Sequence, residues 1–321
     1  MAEAVSLSSL PAITIKKNYT QLGNWSTKEA TPNFMEIIVI VSVPFCIWGL
    51  FGNTIGFWLL CCKVKRNRII IYFLNLTVAD FIVVAYYFTA FCLFLTPFNI
   101  NIYFLRAMEI IYLFGYNAST YFLTVISATR FLVVFFPMWY QHHQPKTRLV
   151  CVFLWSCSFL MSLGVYIACF PRFLSSHNMD SSYCSAATIS AITVNFCVFL
   201  PIMLFSTLAI FWGMQRKARQ RLPAKLDIII IIMVLLCLIF ASSMRTVDAV
   251  SSWHQKLDSP FAFLLSVLFD SIKYSADPFV YILVACWKRK KTSEPIYMCV
   301  GRALRNNETV KKDTQVAQEQ A

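Results

Sequence analysis

Seven long apolar segments dominate the chain, and each has the roughly 20 residues that a helix needs to cross a bilayer. They lie near residues 36–62, 68–95, 104–136, 148–170, 186–214, 226–252 and 261–285. With 58% hydrophobic and 13% charged residues, the 321-residue chain has too little charge to cover a soluble surface. Only 8 glycines occur and alternating ten-residue segments are absent, which argues against a β-barrel. Because backbone polar groups in hydrocarbon must bond internally, the sequence predicts an all-α membrane protein built as a seven-transmembrane helix bundle.

Basic residues are concentrated in the loops on one side of this predicted bundle. The clusters lie at residues 63–68, 130–148, 216–225 and 288–291. Because cytoplasmic loops carry an excess of Lys and Arg, this side is predicted to be cytoplasmic and the N-terminus extracellular. The formal net charge of +13 therefore favours a multi-pass plasma-membrane protein in the lipid bilayer, with no nucleic-acid partner.

Three regions follow from these assignments: an extracellular tail at 1–33, a seven-transmembrane domain at 34–286 and a cytoplasmic region at 287–321. Near residues 287–304, apolar side chains alternate with basic ones, which predicts a short amphipathic eighth helix lying on the membrane surface. Cys286 and Cys299 would then lie beside the inner leaflet, so both are candidates for lipidation.

The predicted outer side carries two kinds of modification signal. Asn18 and Asn24 each begin an acceptor tripeptide for N-glycosylation in the N-terminal tail. Of the 12 cysteines, only Cys169 and Cys184 flank the second outer loop, in an oxidising compartment. A disulfide between them would tie the fourth helix to the fifth, and the alternative is two free thiols at helix ends.

Six short motifs occur in a fixed order along the spans. They are Gly52-Asn53 in the first span, Asn75 to Asp80 in the second, Arg130 at the end of the third, Trp155 in the fourth, Pro201 in the fifth and Asp277 to Tyr281 in the seventh. In this order they make the chain resemble rhodopsin-like (class A) G-protein-coupled receptors over nearly all of residues 34–306. The resemblance implies a cell-surface receptor for an extracellular ligand that signals through heterotrimeric G proteins.

Finer features resemble the Mas and Mas-related branch of that family. They include Leu113-Phe114-Gly115-Tyr116-Asn117, Phe136-Pro137-Met138-Trp139-Tyr140, Gln144-Pro145-Lys146, Ile239-Phe240-Ala241 and Met244-Arg245. The lack of a Cys at the outer end of the third span fits the same branch. Because that branch ties the fourth helix to the fifth, the resemblance supports the pairing of Cys169 with Cys184.

Four polar residues at membrane depth form a candidate internal ion site. Asp80 matches the family's sodium-binding aspartate, and Ser119 matches a usual sodium ligand. Lys273 stands where the family normally has a neutral amide, and Asp277 replaces the usual Asn of the closing motif. A buried Lys between two carboxylates satisfies charges that are each costly alone, so we predict that the Lys273 ammonium replaces Na⁺ as counter-ion. The alternative is that Lys273 turns toward water or another partner, which leaves Na⁺ at Asp80.

Two residues near the predicted cytoplasmic end match positions that contact the G protein. They are Arg130, the family's G-protein-contacting arginine, and Tyr281 of the closing motif. Thr129 stands where the family has an acidic neighbour, so one restraint on Arg130 is missing and either raised basal activity or weakened coupling follows. Around Ser242 and Ser243 the sixth span has neither the family's Trp nor its Pro, which puts the usual hinge in doubt.

Six residues are candidates for a ligand pocket in the outer half of the bundle: Glu109, Tyr112, Tyr116, Arg245, Asp248 and Asp270. Arg245 and Asp248 are three residues apart, so they equally fit a simple ion pair with each other. A peptide or a small amphipathic molecule is the predicted ligand class.

Other function classes fit the sequence less well. An enzyme is not predicted, because the 4 histidines lack metal-ligand spacing and no nucleophile–base set or phosphate-binding glycine loop occurs. A proton-coupled transporter or channel could use buried Asp and Lys as a relay, but the chain has no inverted repeat. A non-signalling decoy or partner-dependent receptor on the same fold is the main alternative.

Overall fold

The structure, a computed structural model, describes residues 34–95, 102–143, 145–169, 181–218, 225–241, 260–287 and 295–304. Within those ranges, seven long helices and the short helix that follows them are labelled α1 to α8. Their bounds are α1 Phe34–Trp58 with a π-helical turn at Leu59–Lys63, α2 Arg68–Leu95, α3 Ile102–Phe135, α4 Thr147–Cys169, α5 Ser181–Val194 continuing through a π turn at Asn195–Phe199 to Leu200–Ala218, α6 Lys225–Leu236 with a π turn at Cys237–Ala241, α7 Pro260–Cys286 and α8 Ile296–Leu304.

The all-α seven-helix architecture predicted from the apolar segments is confirmed. Each long helix overlaps one predicted segment, and α5 extends beyond it at both ends. Among the described residues, five helices, α1 to α5, are long and apolar enough to cross a membrane. In α7 three charged residues, Asp270, Lys273 and Asp277, lower the hydropathy of the span, and all three are buried. The charged side chains that lower the hydropathy of α7 therefore point into the protein.

A short helix between α3 and α4, Pro137–His142, was not predicted. Pro137 stands in its first turn, where a proline lacks only an N–H that would be unpaired anyway. The helix α8 covers the last part of the predicted stretch at 287–304 and begins at Ile296. Cys299 is buried against the bundle and Cys286 is half-buried. Lipidation of either cysteine stays a prediction.

The bundle has an apolar exterior and a polar interior. Large side chains point outward from α1 and α4, among them Trp48, Phe51, Phe153 and Leu160, each more than half exposed. Asp80, Lys273 and several serines are almost fully buried instead. Because lipid solvates apolar groups and not charges, this inside-out distribution is the one expected of a multi-pass membrane protein.

Glycines let α1 lie close against α7. A Cβ added at Gly49, Gly52 or Gly56 would overlap side chains of α7, and at Gly56 it would meet the Tyr281 hydroxyl and lie 3.6 Å from Pro278 Cβ. Small residues at such a contact allow backbones to approach closely, which is a main source of helix association in membranes. The packing of α1 therefore fixes the position of the Asp277 to Tyr281 segment.

We expect Gly56→Ala to destabilise the protein by about 1–3 kcal/mol, because one methyl group overpacks the α1–α7 contact. Gly164→Ala on α4 is the matched control, since a Cβ there meets nothing within 4 Å. The control should be neutral or stabilising by up to about 1 kcal/mol through helix propensity. Thermal unfolding of the purified protein measures both, and equal effects of the two substitutions would contradict the close contact.

Candidate functional site

A four-residue ion cluster lies in the middle of the bundle. The Lys273 ammonium donates to Ser119 Oγ at 2.9 Å and to Asp80 Oδ1 at 3.3 Å. The same nitrogen lies 3.2 Å from Asp277 Oδ2, one helical turn further along α7. Ser119 Oγ in turn donates to Asp80 Oδ1 at 2.6 Å. Helices α2, α3 and α7 thus each contribute to one cluster that holds a cation, two carboxylates and a hydroxyl.

This cluster is sealed from solvent. The side chains of Lys273 and Asp80 are each 1% exposed, and Ser119 is fully buried. The Tyr274 ring lies beneath the ammonium, with its centroid 3.8 Å from Nζ, and adds a cation–π contact. In a medium of low polarity, charge attraction of this kind is strong, while a missing partner is correspondingly costly.

A second buried cluster, which we call the tyrosine cluster, lies nearer the end of the bundle at which α1 begins. Tyr87 on α2 and Tyr112 on α3 donate hydroxyl hydrogen bonds to Asp270 Oδ2 on α7, at 2.8 and 3.0 Å. Tyr116 packs on Tyr112, with ring centroids 6.2 Å apart, and Glu109 is buried one turn before Tyr112. Four of the six predicted pocket residues, Glu109, Tyr112, Tyr116 and Asp270, therefore line the inner faces of α3 and α7.

Two small cavities lie beside this tyrosine cluster. One, of about 20 Å³, is bounded by Tyr116, Asn195 and Cys237. The other, of about 30 Å³, lies where Asn195 donates to Asn117, and Asn117 donates to Ser162. This amide chain joins α3, α4 and α5 at the π turn of α5, and π turns are common at functional positions. Each cavity has room for about one water molecule.

The opposite end of the bundle carries two polar contacts that hold α6 in place. Arg130 Nε at the end of α3 pairs with Asp227 Oδ1 in the first turn of α6. Lys225 at the start of α6 donates from Nζ to the carbonyl oxygens of Ala285 and Trp287, at 2.6 and 2.7 Å. A cation at the carboxyl end of a helix is favoured by the helix dipole and by unpaired carbonyls. Together these contacts, which we call the α6 latches, tie α6 to both α3 and α7.

The α6 latches were not predicted from sequence. Arg130 was expected to lack the adjacent carboxylate because Thr129 precedes it, and its partner Asp227 lies 97 residues further along the chain. The sequence feature that could have indicated these contacts is the pair of charged residues, Lys225 and Asp227, at the start of an otherwise apolar helix. Tyr281 lies inside the bundle with its ring edge against Phe73, at a centroid distance of 6.0 Å.

Several predicted site residues lie outside the described residues. They are Asn18 and Asn24 in the N-terminal region, Ser242, Ser243, Arg245 and Asp248 after α6, and the side chains of Cys169 and Cys184. Glycosylation, the disulfide, the sixth-helix hinge and the Arg245–Asp248 pair therefore stay predictions.

Comparison with known proteins finds one matching family and a set of named relatives. The model of the seven-transmembrane receptors of the rhodopsin family matches residues 52–281. Proto-oncogene Mas of Homo sapiens is 31% identical over 271 residues, covering 80% of each chain. Mas-related G-protein coupled receptor member X1 of Homo sapiens is 29% identical, covering 84% of this chain and 83% of its own. Member H of Mus musculus is 30% identical over 98% of both chains.

Proposed function

We propose that the chain, which belongs to the rhodopsin family of seven-transmembrane receptors and to its Mas-related group of G-protein-coupled receptors, activates heterotrimeric G proteins when an extracellular ligand binds. It is a multi-pass membrane protein and not an enzyme. The ligand is a peptide or a small amphipathic molecule. The N-terminus is extracellular, so the tyrosine cluster faces outward and the α6 latches face the cytoplasm.

The observation that carries this proposal is the pair of α6 latches. A Gα tail can enter the cytoplasmic end only if α6 moves away from α3 and α7, and that movement must break both contacts. A bistable element of this kind is what a ligand can bias, provided that the ligand binds the open state more tightly. Arg130, released from Asp227, then becomes available to the G protein.

The tyrosine cluster supports a ligand site on the outer side. Asp270 joins α7 to α2 and α3 through the Tyr87 and Tyr112 hydroxyls, so a ligand group that competes for this carboxylate would rearrange three helices. Its aromatic walls suit an apolar or cationic group. This site lies between three helices that also meet at the ion cluster around Lys273, which gives a physical connection toward the cytoplasmic end.

Substitution of Arg130 by Ala tests signalling directly. We expect G-protein activation in cells, both basal and ligand-evoked, to fall to the level of untransfected cells at equal surface expression. Arg130→Lys is the matched variant, because it keeps the charge but loses the planar guanidinium and should retain part of the output. Equal output from wild type and Arg130→Ala would instead favour the non-signalling receptor.

A further inference from the structure

Membership of the rhodopsin family implies a sodium ion at the Asp80 position, and the donor set of this chain can be tested against that expectation. A sodium ion needs oxygen ligands, and Asp80 Oδ1 and Ser119 Oγ would be two of them. Both oxygens lie within hydrogen-bond distance of Lys273 Nζ, at 3.3 and 2.9 Å. The space between these oxygens is therefore filled by an ammonium group, and sodium does not fit beside it.

Charge repulsion also excludes a sodium ion from the position beside Lys273. A carboxylate buried like Asp80 requires a compensating cation, and the ammonium on α7 supplies one. A sodium ion bound to the same oxygens would lie within about 5 Å of a second positive charge in a medium of low dielectric, where like charges repel strongly. Asp277, which also lies 3.2 Å from Nζ, further anchors the ammonium on its own helix.

The Lys273 side chain is buried over its whole length. Its side chain is 1% exposed, and the Tyr274 ring packs against the ammonium at 3.8 Å. Rotation toward solvent would leave Asp80 and Asp277 without their cation, so the alternative in which Lys273 turns away is disfavoured in this packing.

We propose that Lys273 is a tethered cation that occupies the sodium position between Asp80 and Ser119, so that the receptor binds no sodium and loss of the ammonium uncovers a latent sodium site. An untethered ion can leave and makes a receptor sensitive to sodium concentration, whereas a covalently attached one cannot. Cation binding here is independent of signalling, so its test is informative even if the proposed function fails.

The test is thermal unfolding of the full-length receptor in lipid nanodiscs, in sodium chloride against choline chloride at equal ionic strength. Wild type should melt at the same temperature in both salts. Lys273→Asn should melt about 2–5 °C higher in sodium when the ion is about tenfold above its Kd, since a ligand that binds only the folded state stabilises it. Asp80→Asn added to Lys273→Asn should abolish that difference.

Lys225→Asn is the matched control, because it also removes a lysine, but a half-buried one whose hydrogen bonds among the described residues go to backbone carbonyls. Its melting temperature should fall equally in both salts. Should Lys273→Asn fail to fold, Lys273→Gln, which keeps more of the volume, serves the same comparison. A sodium-specific rise in wild type that Asp80→Asn removes would overturn the proposal, as would a folded Lys273 variant that shows no sodium response.

Discussion

Replacement of Asp227 by Asn is expected to raise ligand-independent G-protein activation about fivefold at equal surface expression. The Arg130–Asp227 pair is only 9% and 13% exposed, so it is screened less than a surface ion pair. If breaking it removes about 1 kcal/mol from the closed state, the open population rises about fivefold. A second-messenger assay in cells without ligand measures the change, and surface labelling normalises it.

Two further substitutions separate the charge from the packing at this position. Asp227→Glu keeps the carboxylate and should keep basal output near wild type. Lys225→Met removes the second latch, and its basal output should rise less, because Lys225 donates to neutral carbonyl oxygens at 2.6 and 2.7 Å. Unchanged basal output in Asp227→Asn would show that this pair does not restrain α6.

The lengths and order of the spans could be predicted because each depends on a local property, the hydropathy of about 20 consecutive residues. The neighbouring positions of Lys273 and Asp277 could be predicted for a similar reason, since an i,i+4 spacing places two side chains on one helical face. The resemblance to a known family then located Asp80 and Ser119 on the facing helices.

The contact between Arg130 and Asp227 could not be predicted in the same way. It joins residues 97 apart and depends on how far α6 extends at its N-terminal end and on its rotation about its own axis. Reasoning from the neighbouring Thr129 correctly identified a missing local carboxylate, but the bundle supplies one from another helix. The π turns at Asn195–Phe199 and Cys237–Ala241 likewise depend on interhelical packing and have no local sequence signal.

A cluster of buried charges that compensate one another should lose more stability when one charge is removed than when all of them are removed. Lys273→Met, measured in choline chloride so that no sodium compensates, is therefore expected to cost about 3–5 kcal/mol of stability, because Asp80 and Asp277 remain buried without a cation.

Adding Asp80→Asn and Asp277→Asn to Lys273→Met should recover most of that loss, since a neutral cluster of similar volume leaves no buried charge uncompensated. Thermal unfolding of the single and triple variants measures both values under one condition. If the triple variant is no more stable than Lys273→Met, then side-chain packing around the Tyr274 ring, and not charge compensation, is what Lys273 contributes. Recovery in the triple variant would instead show that these three charges are retained as a set.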